Sequence, residues 1–163
     1  MFKIYNWKET IYKKDLIAVI INGLLTALLV GMLAGALDFL FYKINFSLSI
    51  GLLLLCYTIA YRVRKAYFNF HILYPVLAVI FLLFGIFVEM LTNYCFIYGS
   101  ITQIFNILSS WNFYFNYLTF PIYGFIRFYN TSQIAHLFGG ILDLIFYVFS
   151  IIVCFKFSGG KLK

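Results

Sequence analysis

Four long apolar runs, Leu16 to Phe41, Ile44 to Tyr61, Ile72 to Phe96 and Ile134 to Phe155, take up most of this chain and decide which solvent it can fold in. A helix rises about 1.5 Å per residue, so roughly 20 apolar residues cover a hydrocarbon core about 30 Å thick. Three runs reach that length unaided, and the second falls slightly short. Only 10% of the residues are charged and 64% are hydrophobic, against about 25% charged in soluble domains. The chain therefore reads as all-α: a polytopic transmembrane helical bundle of four spans, forming one membrane domain over residues 1–163 with nothing left for a soluble catalytic unit.

The basic residues sit at the ends of the runs. Lys3, Lys8, Lys13 and Lys14 precede the first, Arg62, Arg64 and Lys65 separate the second from the third, and Lys156, Lys161 and Lys163 follow the last. Only Lys43 and Arg127 fall on the opposite side of a four-span arrangement, so the positive-inside rule puts both termini in the cytoplasm. The net charge of +7 is then a topology signal and a contact with anionic lipids at the cytoplasmic face, not a nucleic-acid interface. Residues 1–15 alternate lysines with Phe2, Tyr5, Trp7 and Tyr12, which predicts an inner-leaflet interfacial helix, with Asp15 as N-cap of the first crossing. The first run is too long for a signal-peptide core and is expected to stay as a span. Residues 99–133 are aromatic but carry Gln103, Asn106, Asn112, Asn116 and Pro121. They read as an outer interfacial or re-entrant cap; the alternative, a fifth crossing near 104–126, would move Arg127 inside and the C-terminal lysines outside.

Three acids lie within the apolar runs: Asp38, Glu89 and Asp143. A carboxylate facing lipid costs roughly 2.5–3.5 kcal/mol even on the lenient insertion scale, which asks each for a partner or a task. Each follows a glycine on its own helical face. Gly31, Gly35 and Asp38 share a face on the first span, as do Gly85, Glu89 and Asn93 on the third, and His136, Gly139, Gly140 and Asp143 on the fourth. Small residues at this spacing let membrane helices approach closely. The pattern predicts helix-packing roles for Gly31, Gly35, Gly85, Gly139 and Gly140, around a polar centre of Asp38, Glu89, Asp143, His136 and Asn93 in the outer half of the bundle. The octets GALDFLFY, from Gly35, and GILDLIFY, from Gly140, share a pattern that suggests inverted copies of one helix, or similar packing demands.

Cys56, Cys95 and Cys154 have no paired spacing and read as apolar filler. No motif for a cofactor or a resident metal stands out. The segment Ala135-His136-Leu137-Phe138-Gly139-Gly140 resembles the Ala-His-x-x-Gly pattern of the last catalytic helix in rhomboid intramembrane serine proteases, with Gly99-Ser100 upstream in that family's order. The resemblance covers about ten residues and implies Ser100 as nucleophile and His136 as base. Ser100 departs from the family's Gly-x-Ser-Gly context. Three readings stay open: a non-enzymatic membrane subunit or binding protein, with a membrane-protein partner or a second copy of itself; a cation- or proton-coupled transporter or channel component; and an intramembrane hydrolase.

Overall fold

The computed structural model describes residues 11–43, 50–99, 101–122, 125–126, 129–130 and 134–159, and gives only the backbone for Tyr42, Ile101, Ala135 and His136. Every regular element among them is helical. Three long helices, α1 (Lys13–Lys43), α3 (Leu73–Ile97) and α6 (Ile134–Gly159), flank the shorter α2 (Ile50–Ala66). Two short helices, α4 (Ile104–Ser109) and α5 (Trp111–Thr119), lie between α3 and α6, bordered by 3-10 turns at Ile101–Gln103 and Phe120–Ile122.

Lys13–Phe41, Leu73–Ile97 and Leu137–Gly159 are each long and apolar enough to cross a bilayer. Three such helices are the make-up of a multi-pass membrane protein. The second apolar run comes out differently: residues 44–49 lie outside the described residues, and α2 runs from Ile50 on through Arg62, Arg64 and Lys65. Charge set the expected limit at Tyr61, but helix propensity ignores it, because Arg and Lys are good helix formers that keep their charged heads at the end of a long stem. The 17 residues of α2 span about 25 Å, short of a full hydrocarbon core.

Local chemistry fixes the helix ends. Pro75 sits in the first turn of α3, where its missing N–H is no loss. At the other end the Tyr98 amide donates to the Tyr94 carbonyl at 2.9 Å, and Gly99, at φ 71°, takes the left-handed turn that a side chain would resist. Within the helices Thr26, Thr92 and Ser158 donate their hydroxyls to the carbonyls of Asn22, Val88 and Cys154, one turn back. No hydroxyl of these three is left bare toward lipid.

α2 is the hub. Its residues Leu52, Leu55, Cys56, Ile59, Ala60 and Val63 are at most 2% exposed and pack with Val19, Ala27 and Ala34 of α1, Ala78, Leu82 and Ile86 of α3 and Cys154 of α6. Pairwise contacts set the directions. Gly23, Gly31 and Gly35 of α1 meet Phe81, Val88 and Thr92 of α3 in rising order, so α1 and α3 are parallel. Gly85 of α3 abuts Leu55 and Ile59, and Glu89 abuts Gly51, so α2 runs against α3. Gly159 of α6 lies against Pro75, and Cys154 lies against Ala78, so α6 also runs against α3.

One end of the bundle thus gathers the start of α1, the α2–α3 connection and the close of α6. It carries Lys13, Lys14, Arg62, Arg64, Lys65 and Lys156, while Lys43 stands at the opposite end, over the Phe39 ring. Asp15 is not a cap. It sits within the first turn of α1 and is 9% exposed, accepting the backbone N–H groups of Phe68 and Asn69 at 3.2 Å each. The hydroxyl of Tyr67 donates to the Ser158 carbonyl and ties α6 to the same connection.

The chain between α3 and α6 turns back down the bundle. Phe113 is 1% exposed and packs edge-on against Phe87 and Tyr94, forming a second small core with Cys95 and Ile107. The Tyr117 hydroxyl then donates to the Leu83 carbonyl at 3.0 Å. Leu83 precedes Ile97 by 14 positions (97 − 83), about 21 Å along the helix. At this depth the Phe120–Ile122 turn packs on α6, Phe120 meeting Tyr147 edge-on at 6.3 Å. The described stretch 101–122 therefore starts where α3 stops and reaches back along α3 to the level of Leu83.

Candidate functional site

The α1–α3 interface brings two acids together because nothing but hydrogen stands between the backbones. A Cβ on Gly31 would lie 2.8 Å from the Gly85 carbonyl, and one on Gly35 would strike the Glu89 carbonyl. One turn beyond Gly35, Asp38 brings its carboxyl group up to that of Glu89. Two neighbouring carboxyl groups can share a hydrogen bond when one of them carries a proton. α2 closes the third side. A Cβ on Gly51 would fall 2.5 Å from Glu89 Oε1 and 3.1 Å from Asp38 Oδ1.

Glu89 is 5% exposed, yet the pair is not sealed in packing. It borders a chamber of about 230 Å³ whose polar wall continues through Asn93, Tyr94 and Asn116 and whose apolar wall is Ile86, Met90 and Phe120. The Asn116 amide donates to the Tyr94 hydroxyl at 2.6 Å, which latches the re-entrant segment onto α3. The buried Asn93 Oδ1 has no hydrogen-bond partner among the described residues. Among the described residues no Lys, Arg or His is part of this lining.

Of the residues expected at the polar centre, Asp38, Glu89 and Asn93 line this chamber. Asp143 does not: it is half-buried on α6, one turn before Tyr147. The side chain of His136 and the whole of Ser100 lie outside the described residues. Gly31, Gly35 and Gly85 stand at helix contacts, and Gly140 is buried. Gly139, expected at a helix contact, lies on an exposed side of α6, with nothing among the described residues within 4 Å of where its Cβ would be.

Sequence reasoning missed Gly51, Tyr94, Asn116 and Phe120. Gly51 lies in the first turn of α2, and Asn116 and Phe120 arrive only because the chain folds back beside α3. Among the described residues no group of three or more His, Cys, Asp or Glu side chains is placed to hold a metal ion. No family model matches the sequence, and neither a curated protein nor a solved structure resembles it. The fold and site define a class, a helical multi-pass membrane protein with a carboxyl pair at a three-helix junction, and function has to be argued from that junction.

Proposed function

We propose that this is a non-enzymatic, membrane-embedded binding protein whose Asp38–Glu89 pair is the binding centre of the chamber, exchanging its shared proton for a cation or a protonated amine. α1, α2, α3 and α6 are its four crossings. The observation that carries the reading is that the acid pair opens onto a space rather than into packed side chains. A pair serving only as interhelical glue needs no chamber beside it, and an empty volume costs stability. Acceptor oxygens dominate the wall, which suits a ligand rich in N–H donors or a bare cation.

The experiment is a thermal-unfolding titration of the purified protein in nanodiscs with alkali cations and with methyl- to propylammonium ions. Wild-type protein is expected to gain stability with ligand, by about 2.7 kcal/mol at a hundred times Kd. Glu89→Gln keeps a hydrogen bond to Asp38 and should preserve the unliganded midpoint while losing the gain. Absence of a gain in wild type, or an equal gain in Glu89→Gln, overturns the reading.

A second reading, a cation- or proton-coupled transporter component, is favoured by the re-entrant segment. Backbone that departs from the α-helix at membrane depth is tolerated where it is buried in protein or lines a wet cavity, and the 3-10 turn Phe120–Ile122 begins at the chamber wall with Phe120. Proteoliposomes loaded with a pH dye separate the two readings: transport gives Glu89-dependent flux, binding alone gives none. For orientation we propose that the Lys- and Arg-rich end faces the cytoplasm and meets anionic lipid. A single cysteine introduced at Lys65 should be protected from impermeant maleimide in intact cells and labelled in inverted vesicles. Labelling in intact cells would reverse the orientation.

A further inference from the structure

Cys56 of α2 and Cys154 of α6 are 98 positions apart in the chain (154 − 56), yet their side chains are neighbours across the α2–α6 interface. Each also lies against a backbone carbonyl across a helix interface, Cys56 Sγ 3.1 Å from that of Ser150 and Cys154 Sγ 3.5 Å from that of Ala78. They are 2% and 0% exposed. Ser150, one turn before Cys154 and on the same helix face, is 1% exposed, and its hydroxyl has no partner among the described residues. Three small polar side chains thus occupy a layer where alanine or valine would pack with no polar group unmet. Cys95, the third thiol, belongs to the separate cluster around Ile107 and Phe113.

Neighbouring thiols have only to turn toward each other and close to the bonding distance of about 2.05 Å. Thiolate formation in water followed by attack of a soluble disulfide is blocked by burial, so an oxidant has to arrive through the apolar phase. We propose that Cys56 and Cys154 form an oxidisable dithiol that closes into a disulfide clamping α2 to α6, with a lipid-soluble quinone as the two-electron acceptor. The S–H bonds of both cysteines break and one S–S bond forms. The two electrons and two protons pass to the quinone, which leaves as the hydroquinone. The clamp would join α6 to the hub helix independently of the chamber, so it stands or falls apart from the binding reading.

The test uses the full-length protein in native membranes, incubated with a short-chain benzoquinone or with membrane-impermeant ferricyanide. It is then unfolded in SDS, alkylated with a polyethylene-glycol maleimide and mapped by mass spectrometry. With the quinone, two of the three thiols should be lost together and a peptide joining Cys56 to Cys154 should appear, reversible by dithiothreitol. Cys95 should stay alkylatable, and ferricyanide should leave all three free. Cys56→Ser should abolish the linked peptide and leave Cys154 reactive. A wild-type protein that keeps all three thiols after quinone treatment, a link to Cys95, or equal oxidation by ferricyanide would each overturn the proposal.

Discussion

The two octets that look alike in the chain end up in unlike surroundings. In α1 the glycine of GALDFLFY rests on the Glu89 carbonyl, and its aspartate stands beside Glu89 at the edge of the chamber. In α6 the glycine of GILDLIFY is buried too, but Asp143 stands outside the chamber lining, and the neighbouring Gly139 touches nothing. The difference is one of partners. α1 lies along α3, which offers Gly85 and an acid at matching height, whereas α6 reaches α3 through Cys154 and Gly159, near its far end, and meets the Phe120 turn around Tyr147. A sequence pattern specifies which groups a helix presents, and the facing helix decides what they do.

That contrast can be broken by substitution. The largest effect is expected from Gly35→Leu, because the obstacle is the backbone carbonyl of Glu89 and cannot swing aside. A loss of about 3 kcal/mol in SDS-unfolding titrations is expected, against no measurable loss for Gly139→Leu. Equal costs would show that α6 packs as closely there as α1 does. Asp38→Ala comes next, at about 2 kcal/mol, since it strips a buried hydrogen-bond partner from Glu89. Asp143→Ala should stay within about 0.5 kcal/mol by the same titration; a cost matching that of Asp38→Ala would reveal a partner for Asp143.

The re-entrant latch sharpens the picture further. Tyr117→Phe removes one hydrogen bond to the Leu83 carbonyl and should cost about 1 kcal/mol. It should also speed hydrogen exchange of α5 amides relative to those of α2. The smallest effect is expected from Asp143→Asn, with stability unchanged within error and ligand response intact.

Much of the fold was legible. Hydropathy alone marks three of the helices, because lipid demands about 20 apolar residues in a row. The 3.6-residue period aligns Gly31, Gly35 and Asp38 on one face and Gly85, Glu89 and Asn93 on another, and those two faces do meet. What stayed hidden depends on distance in the chain. Cys56 and Cys154, read as isolated filler, touch across 98 positions (154 − 56). Asn116 reaches Tyr94 only because a polar, aromatic segment folds back instead of lying flat. Asp15 looked like a cap since carboxylates favour helix starts, but the unsatisfied amides it serves belong to a loop more than fifty residues later.

That last contact bears on how the protein is made. The Asp15 carboxylate is synthesised more than fifty residues before the amides of Phe68 and Asn69, and water or lipid headgroups have to solvate it until those two residues have been made. Capture of the two loop amides by Asp15 then joins the start of α1 to the end of α2, which requires the two helices to lie antiparallel with those ends level. A hairpin inserted out of register would keep a bare carboxylate at its base, a mark that quality-control proteases or a lateral gate could read before the rest of the chain arrives.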